Sequence, residues 1–531
     1  MLARAGFTSA VGPGLLILPP LNSAVTTVVV WHRADLRTTD NAALAAAREA
    51  IDDGGAVAPV FVADPRYYGE DGLACDARLR FLNDCLRDLD RQYADLGSSL
   101  TLLRGDPRQC LRQLLDGPVD ELRYNRHPTG RYGRQVAETV RGWPGTTAHA
   151  DDGLRYADRR DWDGTVAVDT REGWDDHAEA YFEREPQPRP DSLPENPVAS
   201  GTTLDTVEAE FEVDPDKHDV PEGGTLAGNA RLSAFVDDLQ NYPGSVAPPA
   251  AAEEGTSGLS AYLAFGALSP RQVYREVQDA PAGRGREMFV SRLYWNRHYH
   301  QKLADWPGWT DRSVNPVFRD LFRERHDPDL DRAWRRGETG FPLVDAAMRA
   351  LRETGWLNFR LRALVASFYV YVLKQWWRRG ADYMYEQLVD ADAAINYTQW
   401  QSQCNLTGVH PVRVYDPAKQ VREYDPDGEY VRKYVPELAA LPDEHLPRPE
   451  RTPEAVQADC GIDLGTDYPY PVVDYGHEAD RARELYADLA DRAREAVRPG
   501  SRAWRRASLS RNRREDLRES ESGGQTSLDE F

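Results

Sequence analysis

The strongest constraint on this chain is a change of period part-way along it. Between residues 26 and 125 short apolar runs, TTVVVWH (26–32), AVAPVFVA (56–63), LTLLRG (100–105) and DELRYN (120–125), alternate with helical segments at 41–51 and 76–96. Strands separated by helices are too far apart in sequence for hairpins, so this half predicts a parallel, Rossmann-like α/β sheet. From 226 to about 490 the helical period is uninterrupted, as in PLVDAAMRALRETGWLNFRLRALVASFYVYVLKQWW, which predicts an all-α domain. The domains are therefore placed at 26–184 and 226–490. The Pro-, Gly- and acid-rich stretch 185–225 reads as a linker, residues 1–25 as a disordered leader and 491–531 as a disordered tail.

Composition excludes several classes. No run of eighteen apolar residues is present, so no membrane span is predicted. The five cysteines (75, 85, 110, 404 and 460) form no CxxC pair. That points to a reducing, cytoplasmic setting with no structural zinc and no iron–sulfur cluster, hence no metal. Acidic residues number 87 against 65 basic, a net charge of −22, and only five of the basic residues are lysine. With 41% hydrophobic and 10% aromatic content the chain is not an acidic disordered polymer. It reads as a globular protein suited to a salt-rich cytoplasm. At molar salt the Debye length is about 3 Å, so any binding to a polyanion must rest on close contacts and shape.

Against that acidity, residues 349–380 carry seven basic residues and only Glu353 as an acid, and 284–302 carry five against Glu287. Both blocks are interleaved with Trp and Tyr. A solvated helix face explains either one alone; two in one helical domain favour a nucleic-acid face or an anionic cofactor cavity. EGTSGLSAYLAFGALSP (254–270) sets hydroxyls and glycines at a helix start, which suits a phosphate, although Ser and Thr there are most often plain caps. In LVDADAAINYTQWQ (388–401) Asp390 and Asp392 flank a helix start, and Trp400 follows Asn396 at helical spacing. Alone, these would be dipole partners and a core residue.

Taken in order, GETGFPLVDAAMRALRETGWLNFRLRALVASF (337–368), DADAAINYTQWQ and RVYDPAKQVREYDPDGEYVRKYVPEL (413–438) resemble the flavin domain of the DNA photolyase/cryptochrome family. GTSGLS resembles its flavin-phosphate loop, and WHRADLRTTDNAAL (31–44) its N-terminal opening. The likeness runs from about Val28 to about Ala490. It implies an α/β antenna domain, with a second antenna chromophore of unassigned identity, followed by a helical domain that holds FAD non-covalently. By position, Thr256, Ser257, Gly258, Leu259 and Ser260 would hold the FAD phosphates, with Tyr242 before them. Asp390 would pair with Arg362, Ala391 and Asp392 would meet the cofactor, and Asn396 would sit beside flavin N5. Trp400 and Trp377 fall on the first two members of the family's electron-transfer chain. The third position, near Glu324, has no Trp, and Trp334 or a tyrosine is the substitute.

The implied activity is blue-light-driven repair of pyrimidine dimers in DNA by electron transfer from reduced flavin, a deoxyribodipyrimidine photo-lyase acting as a monomer. In FVSRLYWNRHYHQKL (289–303) Trp295 matches the Trp that packs on the flipped dimer, with Asn296 beside it. Arg292, however, stands where repair enzymes carry a Glu, and Arg cannot accept a hydrogen bond. Phe359, followed by Arg360, and Ala363 replace other residues of the same pocket. These departures keep open a cryptochrome-type photoreceptor that binds FAD without repair.

The chain ends QTSLDEF. Gln525, Leu528 and Phe531 lie three apart, the repeat of a 3₁₀ turn, and resemble the peptide by which repair proteins dock on the sliding clamp.

Overall fold

A computed structural model describes residues 26–51, 54–69, 72–117, 119–156, 174–408 and 412–507. The first of its two layered parts is a parallel sheet of β1 (Thr27–Trp31), β2 (Ala56–Ala63), β3 (Thr101–Arg104), β4 (Glu121–Asn125) and β5 (Thr146–His149) in the order β3-β2-β1-β4-β5. Its central strands are covered on both faces, which is why Val28, Val29 and Val30 are consecutive yet all fully buried. β5 escapes sequence detection because TTAH at a sheet edge carries no apolar run. The order reverses between β2 and β4 around β1, so the chain leaves β1 and β4 on either side of a crevice at their C-terminal ends.

The remainder is helical. One core cluster gathers the helices Pro342–Thr354, Phe359–Ser367, Trp377–Gln387 and Ala393–Gln403. Between the second and third of these the backbone widens into a π-helical turn, Phe368–Val372, whose five residues are all buried. The two parts are bolted together by Asp40, after β1, which accepts from Ser269 and pairs with the buried Arg271 of the helical domain.

Two boundaries differ from expectation. The 185–225 stretch is no free spacer. Leu193 N–H donates to Leu96 O (2.8 Å) and Gly201 N–H to Leu102 O (2.9 Å), and Leu204–Glu210 is helical. Lys217 then buries its amine against the end of the Pro342–Thr354 helix, donating to Arg352 O (2.7 Å) and Gln387 Oε1 (3.0 Å). Nor is 491–507 a loose tail. The helix Tyr475–Ala496 runs into it, Val497 and Ala507 are fully buried, and the Arg506 guanidinium lies 4.9 Å from the Trp306 ring centre. Hydrophobic periodicity misses this segment because its anchors are two small apolar residues and an arginine stem. The leader 1–25 and the clamp-like residues Gln525, Leu528 and Phe531 lie outside the described residues.

Candidate functional site

A cavity of about 340 Å³ opens in the helical domain and draws its walls from four separate sequence segments. Tyr242 and the loop residues Thr256, Ser257, Gly258 and Ser260 form one end. Arg362, Asp390 and Asp392 form the floor, and Arg292, Trp295, Asn296, Phe359 and Arg360 stand around the opening. Of the predicted cavity set, Leu259, Ala391 and Asn396 do not line it. Leu259 is buried behind the loop, its N–H donating to Ser257 Oγ at 3.3 Å.

The loop is held from behind by Arg231, whose Nη2 donates to Thr256 O (2.6 Å) and Nε to Ser257 O (2.8 Å). Gly258 has φ +63° there, and a Cβ would lie 2.9 Å from Arg231 Nε, so both conformation and space call for glycine. The Thr256 hydroxyl donates to Ala252 O (2.7 Å), and Ser257 and Ser260 line the cavity beside it, a hydroxyl-rich end that suits an anionic group.

On the floor, Arg362 Nη2 donates to both oxygens of Asp390 (2.8 and 3.0 Å), while its Nε is fixed by Leu357 O (2.8 Å). Asp392 caps the helix Ala393–Gln403, accepting from Ala394 N–H (2.7 Å) and Ile395 N–H (3.1 Å). Its other oxygen lies 2.9 Å from His300 Nε2. Burial pushes the Asp392 carboxyl up, but the His300 charge and hydrogen bond, the Ile395 amide and Arg297 outweigh it and hold the group at about 2. One turn on, buried Asn396 donates from Nδ2 to Ala381 O (2.9 Å), which leaves its Oδ1 as the group able to accept.

At the opening, Trp295 packs on His298 and Tyr299. Asn296 accepts from Arg297 at 2.6 and 3.0 Å and, through its carbonyl, from His300. Arg360 spreads its guanidinium 3.5 Å from the Tyr424 ring centre, with Nε and Nη1 buried and bonded to no described residue. A cavity walled by four arginines, two with uncommitted or single contacts, beside a hydroxyl-rich loop fits a ligand with phosphates at one end and a planar polar ring at the other.

Behind the floor lies an aromatic cluster. Trp400 is buried, its ring centre 6.2 Å from Trp334 and 5.9 Å from Tyr369, and the latter two are 4.5 Å apart. Trp377 is equally buried and meets Tyr397 at 6.5 Å. Gly380 is what permits this packing, since a Cβ there would come 2.4 Å from the Trp400 ring.

A second, smaller cavity of about 80 Å³ occupies the sheet crevice beyond β1 and β4. Arg33, Arg126, Arg134 and Arg141 surround it with Tyr124, His127 and Tyr156. Asp35 anchors the rim, accepting from Arg33 N–H (2.8 Å) and Asn125 Nδ2 (2.6 Å).

Sequence reasoning missed Arg231, Arg284, His300 and Trp356. His300 was within reach of inference, for it lies four residues after Asn296 and one helical turn sets the two on the same face. Arg231 carried no signal, because its role exists only once the loop folds back upon it.

Comparison with known proteins agrees with this geometry. Residues 28–149 match the family model described as DNA photolyase, and residues 289–488 that of the FAD binding domain of DNA photolyase. A deoxyribodipyrimidine photo-lyase of Synechococcus is 31% identical over 87% of this chain and 96% of its own length. A cryptochrome DASH of Natronomonas pharaonis is 33% identical over 84% and 98% respectively. Among solved structures, a class III photolyase of Agrobacterium tumefaciens superposes with TM-score 0.72 at 28% identity, covering 91% of this chain and all of that one. The chain belongs to the DNA photolyase family and carries that family's FAD-binding domain.

Proposed function

We propose that this protein is a light-driven, FAD-dependent lyase that splits pyrimidine dimers in DNA. The observation that carries the reading is the single cavity that joins the Thr256–Ser260 loop and the Arg362–Asp390–Asp392 floor to an aromatic, arginine-lined opening at Trp295, Arg292 and Phe359. FAD, when bound, supplies the light absorption and the electron. The loop would hold its phosphates, and Asp390 and Asp392 would orient and polarise its ring, with Asn396 acting from one helical turn behind the cavity wall. Trp295 offers a face on which a flipped base can stack, and Phe359 and Met288 keep that space apolar. Arg292 cannot accept from a base, but it can oppose negative charge on a reduced pyrimidine carbonyl. Trp400, one helical turn after Asn396, is the proposed donor that keeps the cofactor reduced, with Trp334 as the next ring of the chain and Trp377 reached by way of Tyr397.

The four-arginine crevice beyond β1 and β4 is the proposed place of the second, antenna chromophore, an anionic ring compound by its surroundings. A crystal structure of an archaeal photolyase from Sulfolobus tokodaii with two FAD molecules has 25% identity to this chain and TM-score 0.72, which supports a second chromophore of that class. Gln525, Leu528 and Phe531 are proposed to dock on the sliding clamp.

Illuminating the reduced holoprotein with an oligonucleotide containing a thymine dimer tests the main reading. Recovery of the bases' ultraviolet absorbance is expected. Bound dimer with no recovery under light favours the second reading, a photoreceptor, for which Arg292 in place of an acceptor is the specific argument.

A further inference from the structure

Beside Trp400 lies a buried tyrosine whose hydroxyl is already hydrogen-bonded to a base, and none of the neighbouring tryptophans has one. Tyr369 is fully buried in the π-helical turn and its OH donates to Asp331 Oδ1 at 2.5 Å. Asp331 is itself buried and its second oxygen lies 2.9 Å from Arg335 Nε, so the carboxylate is fixed in place. The Tyr369 ring meets Trp400 edge-on at 5.9 Å and 84°, and Trp334 at 4.5 Å. By contrast the indole N–H groups of Trp400 and Trp377 are buried with no hydrogen-bond partner among the described residues. That of Trp334 donates to the Val365 carbonyl, a very weak base.

From this geometry we infer that Tyr369 and Asp331 form a proton-coupled relay that refills Trp400 after it has lost an electron. The inference rests on the reading of Trp400 as the electron donor. Tyr369 gives one electron to the Trp400 radical cation and its phenolic proton to Asp331. The products are neutral Trp400, a neutral Tyr369 radical and a protonated Asp331 carboxyl. A thiol or other one-electron reductant in solution then returns an electron to Tyr369, and the proton comes back from Asp331.

Three features favour Tyr369 over its neighbours. A tryptophan radical cation with no base at its N–H cannot shed its proton, so its charge remains available to an adjacent ring. A phenol gives up an electron readily only if its proton leaves too, and burial with the Asp331 charge keeps the Tyr369 phenol protonated far above neutral pH. A second pair beside these tryptophans, Tyr397 with Asp382 (2.7 Å), has the Arg378 guanidinium 5.1 Å from its ring centre, which opposes loss of an electron. That pair also touches Trp377 rather than closing on the Trp400 cluster.

The test uses flavin-loaded full-length protein, illuminated with a thiol present, frozen, and read by electron paramagnetic resonance with and without deuterated tyrosine. Wild type should show a tyrosyl signal that changes on deuteration. Tyr369→Phe should lose it, retain flavin, and accumulate reduced cofactor about tenfold more slowly. Asp331→Asn should weaken the signal and remove the solvent-deuterium effect on its formation, while Tyr397→Phe should leave the signal intact. No tyrosyl radical in wild type, or one that survives in Tyr369→Phe, overturns the relay, and the wild-type measurement decides even if a variant fails to fold. Trp400→Phe separates the two claims. If it photoreduces normally, the donor reading is wrong; if it stops while Tyr369→Phe behaves as wild type, only the relay is.

Discussion

His300 and Asp392 close the cavity floor from opposite helices, with Nε2 2.9 Å from Oδ2 and the other ring nitrogen 2.8 Å from the Asn296 carbonyl. The contact ties the helix that bears Trp295 to the helix that bears Asn396 and Trp400. Its loss should loosen cofactor binding before it unfolds the domain. Asp392→Ala should release flavin during purification, and His300→Gln should lower flavin affinity by about tenfold, the scale of one charge-assisted hydrogen bond. Full flavin content in Asp392→Ala would remove that residue from the cofactor site.

The same carboxylate sets an acid limit. Asp392 is held at about 2, below its ordinary 3.8, so it contributes stability that is present above pH 4 and lost as pH falls through about 2. The shift corresponds to about 2 kcal/mol. The stability difference between wild type and Asp392→Asn, followed by denaturant unfolding of the flavin-free proteins from pH 5 to pH 2, should narrow by that amount. A constant gap means the carboxylate is not depressed.

Gly380 and Trp400 predict a packing defect. A Cβ at 380 would lie 2.4 Å from the Trp400 ring and 2.9 Å from Tyr369. Gly380→Ala should therefore destabilise the protein by about 1–3 kcal/mol despite the better helix propensity of Ala. It should also slow photoreduction, because Trp400 is the ring that must move. An unchanged melting temperature together with unchanged photoreduction would count against the close approach.

At the opening, Trp295→Ala should weaken binding to dimer-containing DNA by about 1–3 kcal/mol, the value of one base–aromatic stack, and leave undamaged DNA largely unaffected. Arg292→Glu discriminates the two functional readings. If wild type repairs and the swap abolishes repair, Arg292 serves the substrate. If wild type does not repair and the swap confers repair, the chain is a sensor.

A peptide of residues 519–531 should bind the sliding clamp of the same organism in calorimetry at high salt, and Phe531→Ala should abolish the heat. Absence of heat, with no displacement of a known clamp peptide, would falsify the tail's proposed role.

What this sequence determined by itself was set by period and by local chemistry. Parallel strands at 27–31, 56–63, 101–104 and 121–125 follow from apolar runs separated by helices, and the cap at Asp392 follows from a short acid before a helical stretch. The motifs around Thr256, Arg362 and Asp390 were legible because their order along the chain is itself the signature. Tertiary structure alone decided which groups face one another. Arg231 reaches the 256–258 loop across 25 residues, His300 reaches Asp392 across 92, and Tyr369 reaches Asp331 across 38. Nothing in hydrophobic periodicity encodes such pairings, since a buried polar side chain is specified by its partner's position and not by its own neighbours in sequence. For the same reason residues 497–507 looked like an idle tail: Arg506 packs over the ring of Trp306, two hundred residues earlier in the chain.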